Sequence, residues 1–397
     1  MHRLAFFAFS AAAPLLVVAS IPACGPSSPP GNGEGSTTSR DAGGSDAGGS
    51  DAGGSDAGGS DAGGSDAGGS DAGDASMPDG GGAGAIQAPD DTWTWVDIPG
   101  SKCGYGSETG FAVNPHAGAT ELLIYLEGGG ECHDAASCWG PGTSAKNLTG
   151  YNQTNFMKET MKPALIRSTA GSPFATTNMA FFPYCTGDLH AGTKEVDFTV
   201  NGVIKPTYFV GGNNLDLFLA RLLPTFPGVT RVVLLGTSAG GFGTYLNFDK
   251  VVRAFGVRVD IIDDSGPPLV AKGATDNAAV MSTWGYVSPA GCSPCTSLLD
   301  VMKSARAEQP KSRLGFLSFS VDTTIGPDFG YTAAEYPTLI ESLFPTSFGS
   351  DPNVQTYIVK SQPGHVVEGV PILEPHYFPW MTAMLNDSPS WTSATYP

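Results

Sequence analysis

The stretch RVVLLGTSAGG (231–241) runs from an apolar segment directly into a glycine-rich turn. Its Gly-Thr-Ser-Ala-Gly core fits the pattern G-x-S-x-G with Ser238 at the centre, and a helix with Phe242, Tyr245 and Leu246 on one face is predicted to follow. In such a strand-to-helix turn the backbone of the serine is strained, so the flanking residues must be small. The stretch therefore predicts that the serine is presented as a nucleophile; the alternative is an ordinary turn whose serine caps the helix.

From Trp93 onward, short apolar runs of the strand type alternate with helical patterns. The strand-like runs span 121–127, 178–184, 231–235, 257–263, 313–321 and 354–359. Helices are predicted over 215–223, after Gly240, over 332–344 and over 374–386. This alternation predicts an α/β fold, α/β-hydrolase-like, with a mainly parallel sheet flanked by helices on both faces. Functional side chains are expected beyond the carboxyl ends of the strands.

The first 24 residues are typical of a signal peptide. Arg3 supplies a positive charge, and the apolar run 4–19 is too short to span a bilayer comfortably. Residues 21–24, Ile-Pro-Ala-Cys, resemble a bacterial lipobox in which Cys24 is lipidated after cleavage, and cleavage without a lipid is the alternative. The sequence therefore predicts an exported chain, secreted or held at the bacterial cell surface or outer membrane as a lipoprotein. The lipid anchor is its only expected contact with a membrane.

Residues 25–87 form a second region, rich in Gly, Ser and Asp, with six copies of DAGGS over 41–70. This region has almost no apolar surface to bury, which predicts a disordered tether. A calcium-binding repeat is the alternative, but the repeat lacks the apolar position that a stacked coil needs. The folded domain is therefore expected over 88–397, which is long enough for a sizeable core.

Charge and cysteine content narrow the classes of function. Nine aspartates of the tether contribute to the net charge of −18, and the rest of the chain has no basic stripe, so nucleic-acid binding is not expected. The six cysteines that follow Cys24 predict disulfides, with fifteen possible connectivities. Cys292 and Cys295 are also spaced like half of a zinc site, but no second pair lies at a matching distance.

A serine nucleophile needs a base and an acid that orients the base, and on this fold they follow in the order Ser, Asp or Glu, His. Asp322 lies directly at the end of the run 313–321, two strands after the one that carries Ser238. His365 lies in the loop after the last strand-like run. The predicted catalytic residues are therefore Ser238, Asp322 and His365, and the alternative for the histidine is a solvent-facing position without a role.

Two kinds of rival residue compete for these roles. His376 also follows Asp322, but it falls in a predicted helix beside Pro375 and is expected to pack or to cap. Asp263 and Asp264 are rival acids, and they end a strand that comes one strand too early. They are expected to line the cleft or to hold a turn.

A tetrahedral intermediate also requires donors for its oxyanion. The segment LEGGGEC (126–132) follows a strand-like run and offers glycines whose N–H groups can converge on one point. Gly129 and Gly130, together with the N–H of Ala239, are predicted to form this oxyanion hole. The alternative is a flexible glycine turn.

Four segments resemble motifs of the pectin acetylesterase family, which also contains the animal Notum carboxylesterases. They are LEGGGEC (126–132) followed by Cys138, FFPYCTGDLHAG (181–192), GTSAGG (236–241) and DDSG (263–266). The resemblance covers roughly 93–387 and is discontinuous. It implies a serine esterase whose catalytic serine, aspartate and histidine are Ser238, Asp322 and His365.

The sequence departs from the family pattern at positions that bear on substrate binding. Glu131 stands where plant members usually have tryptophan, and Asp188 and His190 replace a sequence rich in serine and phenylalanine. These three residues and Trp139 are candidate substrate contacts, although a structural hydrogen bond is the alternative for His190. Trp139, Trp284 and Tyr286 also offer faces for sugar rings, with buried packing as the alternative.

The sequence therefore predicts a carboxylic ester hydrolase that removes acetyl or another short acyl group from a carbohydrate through an acyl-enzyme. This mechanism requires no metal or organic cofactor. One alternative is a lipid or general short-chain carboxylesterase, because the same residues serve many acyl substrates. An alternative of another class is a catalytically silent surface protein that binds glycans.

Overall fold

The computed structural model describes residues 84–397. The predicted signal peptide, Cys24 and the DAGGS repeats lie outside the described residues. The strands are β1 Thr94–Ile98, β2 Thr109–Asn114, β3 Glu121–Leu126, β4 Asn178–Phe182, β5 Lys194–Val200, β6 Val203–Phe209, β7 Arg231–Thr237, β8 Arg258–Asp264, β9 Leu314–Phe319, β10 Val354–Val359 and β11 Ala394–Tyr396. The helices are α1 Ala135–Trp139, α2 Gln153–Phe156, α3 Gly211–Thr225, α4 Ala239–Leu246, α5 Phe248–Phe255, α6 Ala278–Trp284, α7 Leu298–Glu308, α8 Ile325–Asp328, α9 Tyr336–Phe348 and α10 Glu374–Leu385, with a 3₁₀ turn at Pro163–Leu165.

Nine of the strands form one sheet in the order β1-β2-β4-β3-β7-β8-β9-β10-β11. All pairs from β4 to β11 are parallel, and only β1 and β2 add antiparallel pairs at one edge. The register sets Leu126 opposite Gly236 and Thr237 opposite Asp264, so β3, β7 and β8 end at the same edge. The predicted α/β fold with a mainly parallel sheet is confirmed.

The central strands are apolar on both sides because each side faces a separate layer of the core. Along β7, Val232 and Leu234 pack into one cluster, and Val233 and Leu235 pack into the other. Helix α3 supplies its predicted apolar stripe to the first cluster, and α10 contributes to the second. Both faces of the sheet are therefore covered, as parallel sheets require.

Each of the six predicted strand-like runs overlaps a strand, and 354–359 has the predicted bounds. The edge strands β1 and β11 were not predicted, nor was β2 beside β1, nor β5 and β6, which form a separate antiparallel hairpin. The helices α6 and α7 were not predicted either. Within 84–397, no helix is long and apolar enough to span a membrane.

The six cysteines of the described region form three disulfides, Cys103–Cys185, Cys132–Cys138 and Cys292–Cys295. The Cys132–Cys138 bond closes the segment that follows the glycine loop 128–130. Because Cys292 and Cys295 bind each other, their thiols do not serve as zinc ligands. Three disulfides are typical of proteins that fold in an oxidising compartment.

Candidate active site

Ser238 occupies a strained turn between β7 and α4. Its φ of 55° and ψ of −120° lie in a region that non-glycine residues rarely adopt. The turn is also tightly enclosed, because a Cβ on Gly240 would lie 1.9 Å from the carbonyl oxygen of Leu126. A Cβ on Gly236 would lie 2.1 Å from the carbonyl oxygen of Gly240. The two outer glycines of G-x-S-x-G are therefore sterically required, and they leave the serine side chain at the edge of the sheet.

The structure brings Ser238, His365 and Asp322 together from three separate parts of the chain. Nε2 of His365 lies 2.8 Å from Oγ of Ser238, and Nδ1 lies 3.0 Å from each carboxylate oxygen of Asp322. The carboxylate is buried, and its Oδ1 accepts the N–H groups of Thr324 and Ile325 at 2.8 Å each. A carboxylate only accepts, so Nδ1 carries the proton and Nε2 is left to accept from the serine hydroxyl.

The rival residues have other partners. The ring of His376 packs against that of Tyr396, with 4.6 Å between the ring centroids. Asp263 accepts the N–H of Gly266 at 2.8 Å. The carboxylate of Asp264 accepts main-chain N–H groups in the loop after His365 rather than the imidazole.

The glycine loop 128–130 passes directly beside the serine. A Cβ on Gly128 would lie 3.1 Å from Cβ of Ser238, and Gly130 has a φ of +72°. Among the hydrogen bonds of residues 84–397, the N–H groups of Gly129 and Gly130 have no protein acceptor. Ala239 is the first residue of α4, where N–H groups lack a partner within the helix. The three residues that carry these N–H groups line the same cavities as Ser238.

Two cavities meet at Ser238: an apolar cavity, and a polar cavity whose lining combines charged and amide side chains with aromatic ones. The first has a volume of ≈180 Å³, and its walls are mostly apolar side chains from α4, α6, α7 and α8 and the loops beside them. These side chains are Leu189, Phe242, Val280, Met281, Trp284, Leu298, Ile325 and Phe329. The second, of ≈490 Å³, also reaches His365 and is lined by the glycine loop, Lys146, Asn147, Glu159 and Lys162.

Of the predicted substrate contacts, Glu131 and Trp284 line these cavities. Glu131 lines the apolar cavity together with His133, and its Oε2 lies 3.0 Å from Nδ1 of that histidine. This contact raises the pKa of His133 above its usual value, against the opposing effect of partial burial. Trp284 also lines the apolar cavity, and its indole N–H donates to the carbonyl of Cys132 at 2.8 Å. Tyr286 packs nearby and donates to the carbonyl of Leu246.

Asp188 and His190 hold the chain together behind the site. Asp188 is fully buried, and it accepts the hydroxyl of Thr186 at 2.6 Å and the N–H of Gly211 at 2.7 Å. His190 Nε2 donates to the carbonyl of Glu127 at 2.8 Å, directly before the glycine loop. Burial lowers the pKa of His190 to about 4 and raises the pKa of Asp188 to about 6.

Trp139 does not reach the site, because it stacks on Tyr105 with 3.8 Å between ring centroids. Its indole N–H donates to Oγ1 of Thr207 on the hairpin at 2.9 Å. The sequence reading missed Gly128, the apolar side chains of the first cavity and the lysines of the second. The three glycines of LEGGGEC were a signal for Gly128, whereas the cavity walls come from elements far apart in sequence.

The chain matches the family model described as Pectinacetylesterase over residues 93–294. It belongs to the pectinacetylesterase family. The family match covers the turn at Ser238 and the glycine loop, whereas Asp322 and His365 lie outside the matched residues.

Curated relatives of the family match part of the chain. The Palmitoleoyl-protein carboxylesterase NOTUM of Drosophila melanogaster is 26% identical over 198 residues, 46% of this chain and 29% of that protein. Pectin acetylesterase 4 of Arabidopsis thaliana is 27% identical over 191 residues, 44% of this chain and 45% of that protein. The match thus spans less than half the length of either relative.

A solved structure of the Wnt deacylase Notum from Drosophila has the same fold. It superposes with a TM-score of 0.53 at 21% sequence identity, covering 68% of this chain and 84% of that one. The superposition covers a larger share of the chain than the family match does.

Proposed function

We propose that this chain is a carboxylic ester hydrolase in which Ser238 is the nucleophile, His365 the base and Asp322 the acid that orients the base. The observation that carries the proposal is the continuous set of hydrogen bonds from Ser238 Oγ through the imidazole to the buried carboxylate. The membership of the chain in the pectinacetylesterase family supports the same reaction class.

In the proposed mechanism, His365 takes the hydroxyl proton as Ser238 Oγ attacks the ester carbonyl carbon. The N–H groups of Gly129, Gly130 and Ala239 then bind the oxyanion, and one such donor contributes about 3–4 kcal/mol to transition-state stabilisation. The protonated imidazole gives its proton to the leaving alcohol, which departs from the acyl-enzyme. Water activated by the same histidine attacks the acyl-enzyme, releases the acid and restores the serine.

The polar cavity supports a carbohydrate as the alcohol part of the ester. It is larger than the apolar cavity, and lysine, asparagine and glutamate side chains line it within reach of sugar hydroxyls. We therefore propose that the chain removes a short acyl group, acetyl in the simplest case, from a carbohydrate.

The apolar cavity favours a second candidate, a general short-chain carboxylesterase. Its volume of ≈180 Å³ exceeds what an acetyl group fills, since a dry apolar cavity of about 150 Å³ already binds benzene. Because benzene has six carbons, we expect this cavity to accommodate an acyl chain of about six carbons.

The test uses the purified full chain on acetylated polysaccharides and on nitrophenyl esters from acetate to octanoate. Release of acetate from the polysaccharide supports the first candidate, and a maximum at longer nitrophenyl esters without acetate release supports the second. Ser238→Ala must abolish both activities. A wild-type chain that binds acetylated glycans as tightly as Ser238→Ala and hydrolyses no ester would instead be a silent binding protein.

We also propose that the chain is exported and held at the cell surface through a lipid on Cys24. The three disulfides support export. Expression of the Cys24→Ser chain should shift the protein from the membrane fraction to the soluble fraction, and an unchanged membrane fraction would exclude the anchor.

A further inference from the structure

Asp264 hydrogen-bonds both the turn that carries Ser238 and the loop that carries His365. It is the last residue of β8, pairs with Thr237 of β7 and is completely buried. Its carbonyl oxygen accepts the N–H of Ser238 at 2.7 Å. The main chain of Asp264 therefore holds the strained turn of the nucleophile.

The side chain of Asp264 holds the loop of the histidine. Its Oδ1 accepts the N–H of Val367 at 3.0 Å, and its Oδ2 accepts the N–H of Glu368 at 2.6 Å. These two residues follow His365 by two and three positions. The next residue in the chain adds a third link, because the hydroxyl of Ser265 hydrogen-bonds the carbonyl oxygen of His365 and lies 2.9 Å from Oδ1 of Asp264.

We propose that Asp264, assisted by the hydroxyl of Ser265, is a positioning residue that sets the distance between Ser238 Oγ and His365 Nε2. The inference rests on the proposed function, since this distance matters only if His365 acts on Ser238. One residue binds the serine turn through its main chain and the histidine loop through its side chain. A shift of the histidine loop relative to the serine turn therefore requires that at least one of these links breaks.

A carboxylate suits this role better than its amide. Each oxygen of Asp264 accepts a main-chain N–H, whereas an asparagine would turn an NH₂ group toward one of the two donors. A buried donor that loses its acceptor destabilises the arrangement around it. Burial raises the pKa of Asp264 to about 6, and the N–H groups of Glu368 and Val367 act in the opposite direction.

The preceding residue offers a matched control. Asp263 is equally buried on the same strand, but its side chain points to the other face of the sheet and its Oδ1 accepts the N–H of Gly266. No hydrogen bond joins its carboxylate to residues 365–368 within the described region. Asp264→Asn and Asp263→Asn both remove a buried carboxyl group, but only the first also removes hydrogen bonds to the histidine loop.

The experiment compares kcat and KM of the full-length wild type, Asp264→Asn and Asp263→Asn on one ester. We expect kcat of Asp264→Asn to fall at least tenfold with KM within twofold, because neither cavity contains its side chain. Asp263→Asn should retain kcat within about threefold at a comparable melting temperature. Equal losses in the two variants, or a loss in KM alone, would overturn the proposal.

Two further measurements keep the proposal testable. If Asp264→Asn does not fold, Ser265→Ala should lower kcat by about threefold to tenfold at constant KM, and an unchanged kcat would overturn the proposal. If the wild type hydrolyses no ester, the proposed function fails independently of the positioning role. The positioning role is then tested by the low-field NMR signal of the His365 Nδ1–H, which is assigned by its absence in His365→Gln. That signal should disappear in Asp264→Asn and persist in Asp263→Asn; its persistence in both would refute the positioning role.

Discussion

The two cavities that meet at Ser238 differ in what builds them. The apolar cavity has helix side chains as walls, among them Phe242 of α4, Met281 and Trp284 of α6 and Leu298 of α7. The polar cavity is built mostly from loops, and its lining includes the glycine loop and the loop of His365. An ester of an aliphatic acid with a sugar has an apolar acyl part and a polar alcohol part, so the difference between the cavities gives a way to orient such a substrate at one serine. The acyl chain is expected in the helix-walled cavity and the alcohol in the loop-walled one.

The largest effect is expected from a change at the proposed catalytic residues, because a substrate in either cavity reacts at the same serine. Asp322→Asn is expected to lower kcat by roughly 10⁴-fold with KM nearly unchanged, because the amide no longer fixes the imidazole tautomer. The loss should be the same for acetate and hexanoate esters and for simple and sugar alcohols. Steady-state kinetics on these four substrates measures it, with Asp197→Asn on the exposed face of the hairpin as the control. A loss confined to one substrate would mean that the cavities do not share one catalytic centre.

The next test fills only the apolar cavity. Val280→Trp is expected to lower the ratio of kcat/KM for hexanoate over acetate by about 10–100-fold, since misfit of one or two methylenes in an apolar pocket corresponds to 1–3 kcal/mol each. Hydrolysis of acetate should change little. Val287→Trp, at a side chain that is 71% exposed and outside the cavity, is the control. Equal selectivity in the two variants would place the acyl chain elsewhere.

A weaker effect is expected on the polar side. Lys162→Met should lower kcat/KM about twofold to fivefold for an acetyl ester whose alcohol carries a carboxylate, because a partly exposed ion pair contributes ~0.2–1 kcal/mol. The neutral counterpart of that ester should be hydrolysed as before. Lys158→Met, exposed and outside the cavity lining, controls for the change of net charge. A loss that is equal for both esters would argue against the polar cavity as the alcohol site.

The sequence could predict those features that depend on residues close together in the chain. The central strands and the turn at Ser238 carry local patterns, an apolar run followed by small residues, and both were found. Asp322 and His365 could be proposed because each directly follows a strand-like run in the order that this fold prescribes. The glycine loop could be proposed for the same reason, because it follows a strand-like run, and the family resemblance includes it.

Most features that were missed depend on contacts between distant parts of the chain. The apolar cavity collects side chains from four helices, and α6 and α7 were not predicted. Asp264 was expected only to line the cleft or to hold a turn. Its link to the N–H groups of Val367 and Glu368, more than a hundred positions away, could not be predicted, because a main-chain donor leaves no trace in residue type. Trp139 shows the opposite error, since an aromatic residue near a motif was interpreted as a substrate contact and its ring instead stacks on Tyr105.

The smallest expected effect is on the stability of the protein. It concerns Glu127, a buried carboxyl group that lines the polar cavity but not the apolar one. Burial raises the pKa of Glu127, which lines that cavity, from 4.5 to about 8. Between these values the folded state holds a proton that the unfolded state has lost, so this residue makes the protein less stable as pH rises. Glu127→Gln removes the dependence and can still accept the N–H of Tyr184, which the carboxylate accepts at 2.8 Å.

The melting temperature of Glu127→Gln relative to the wild type should therefore increase by a few °C between pH 5 and pH 8. Thermal unfolding followed by circular dichroism at four pH values measures this difference, and activity plays no part in it. Glu108→Gln makes the same change at an exposed carboxylate outside the cavity lining and serves as the control. If both variants show the same change with pH, burial does not raise the pKa of Glu127. Water would then reach this part of the polar cavity, and the two cavities would differ less in polarity than proposed.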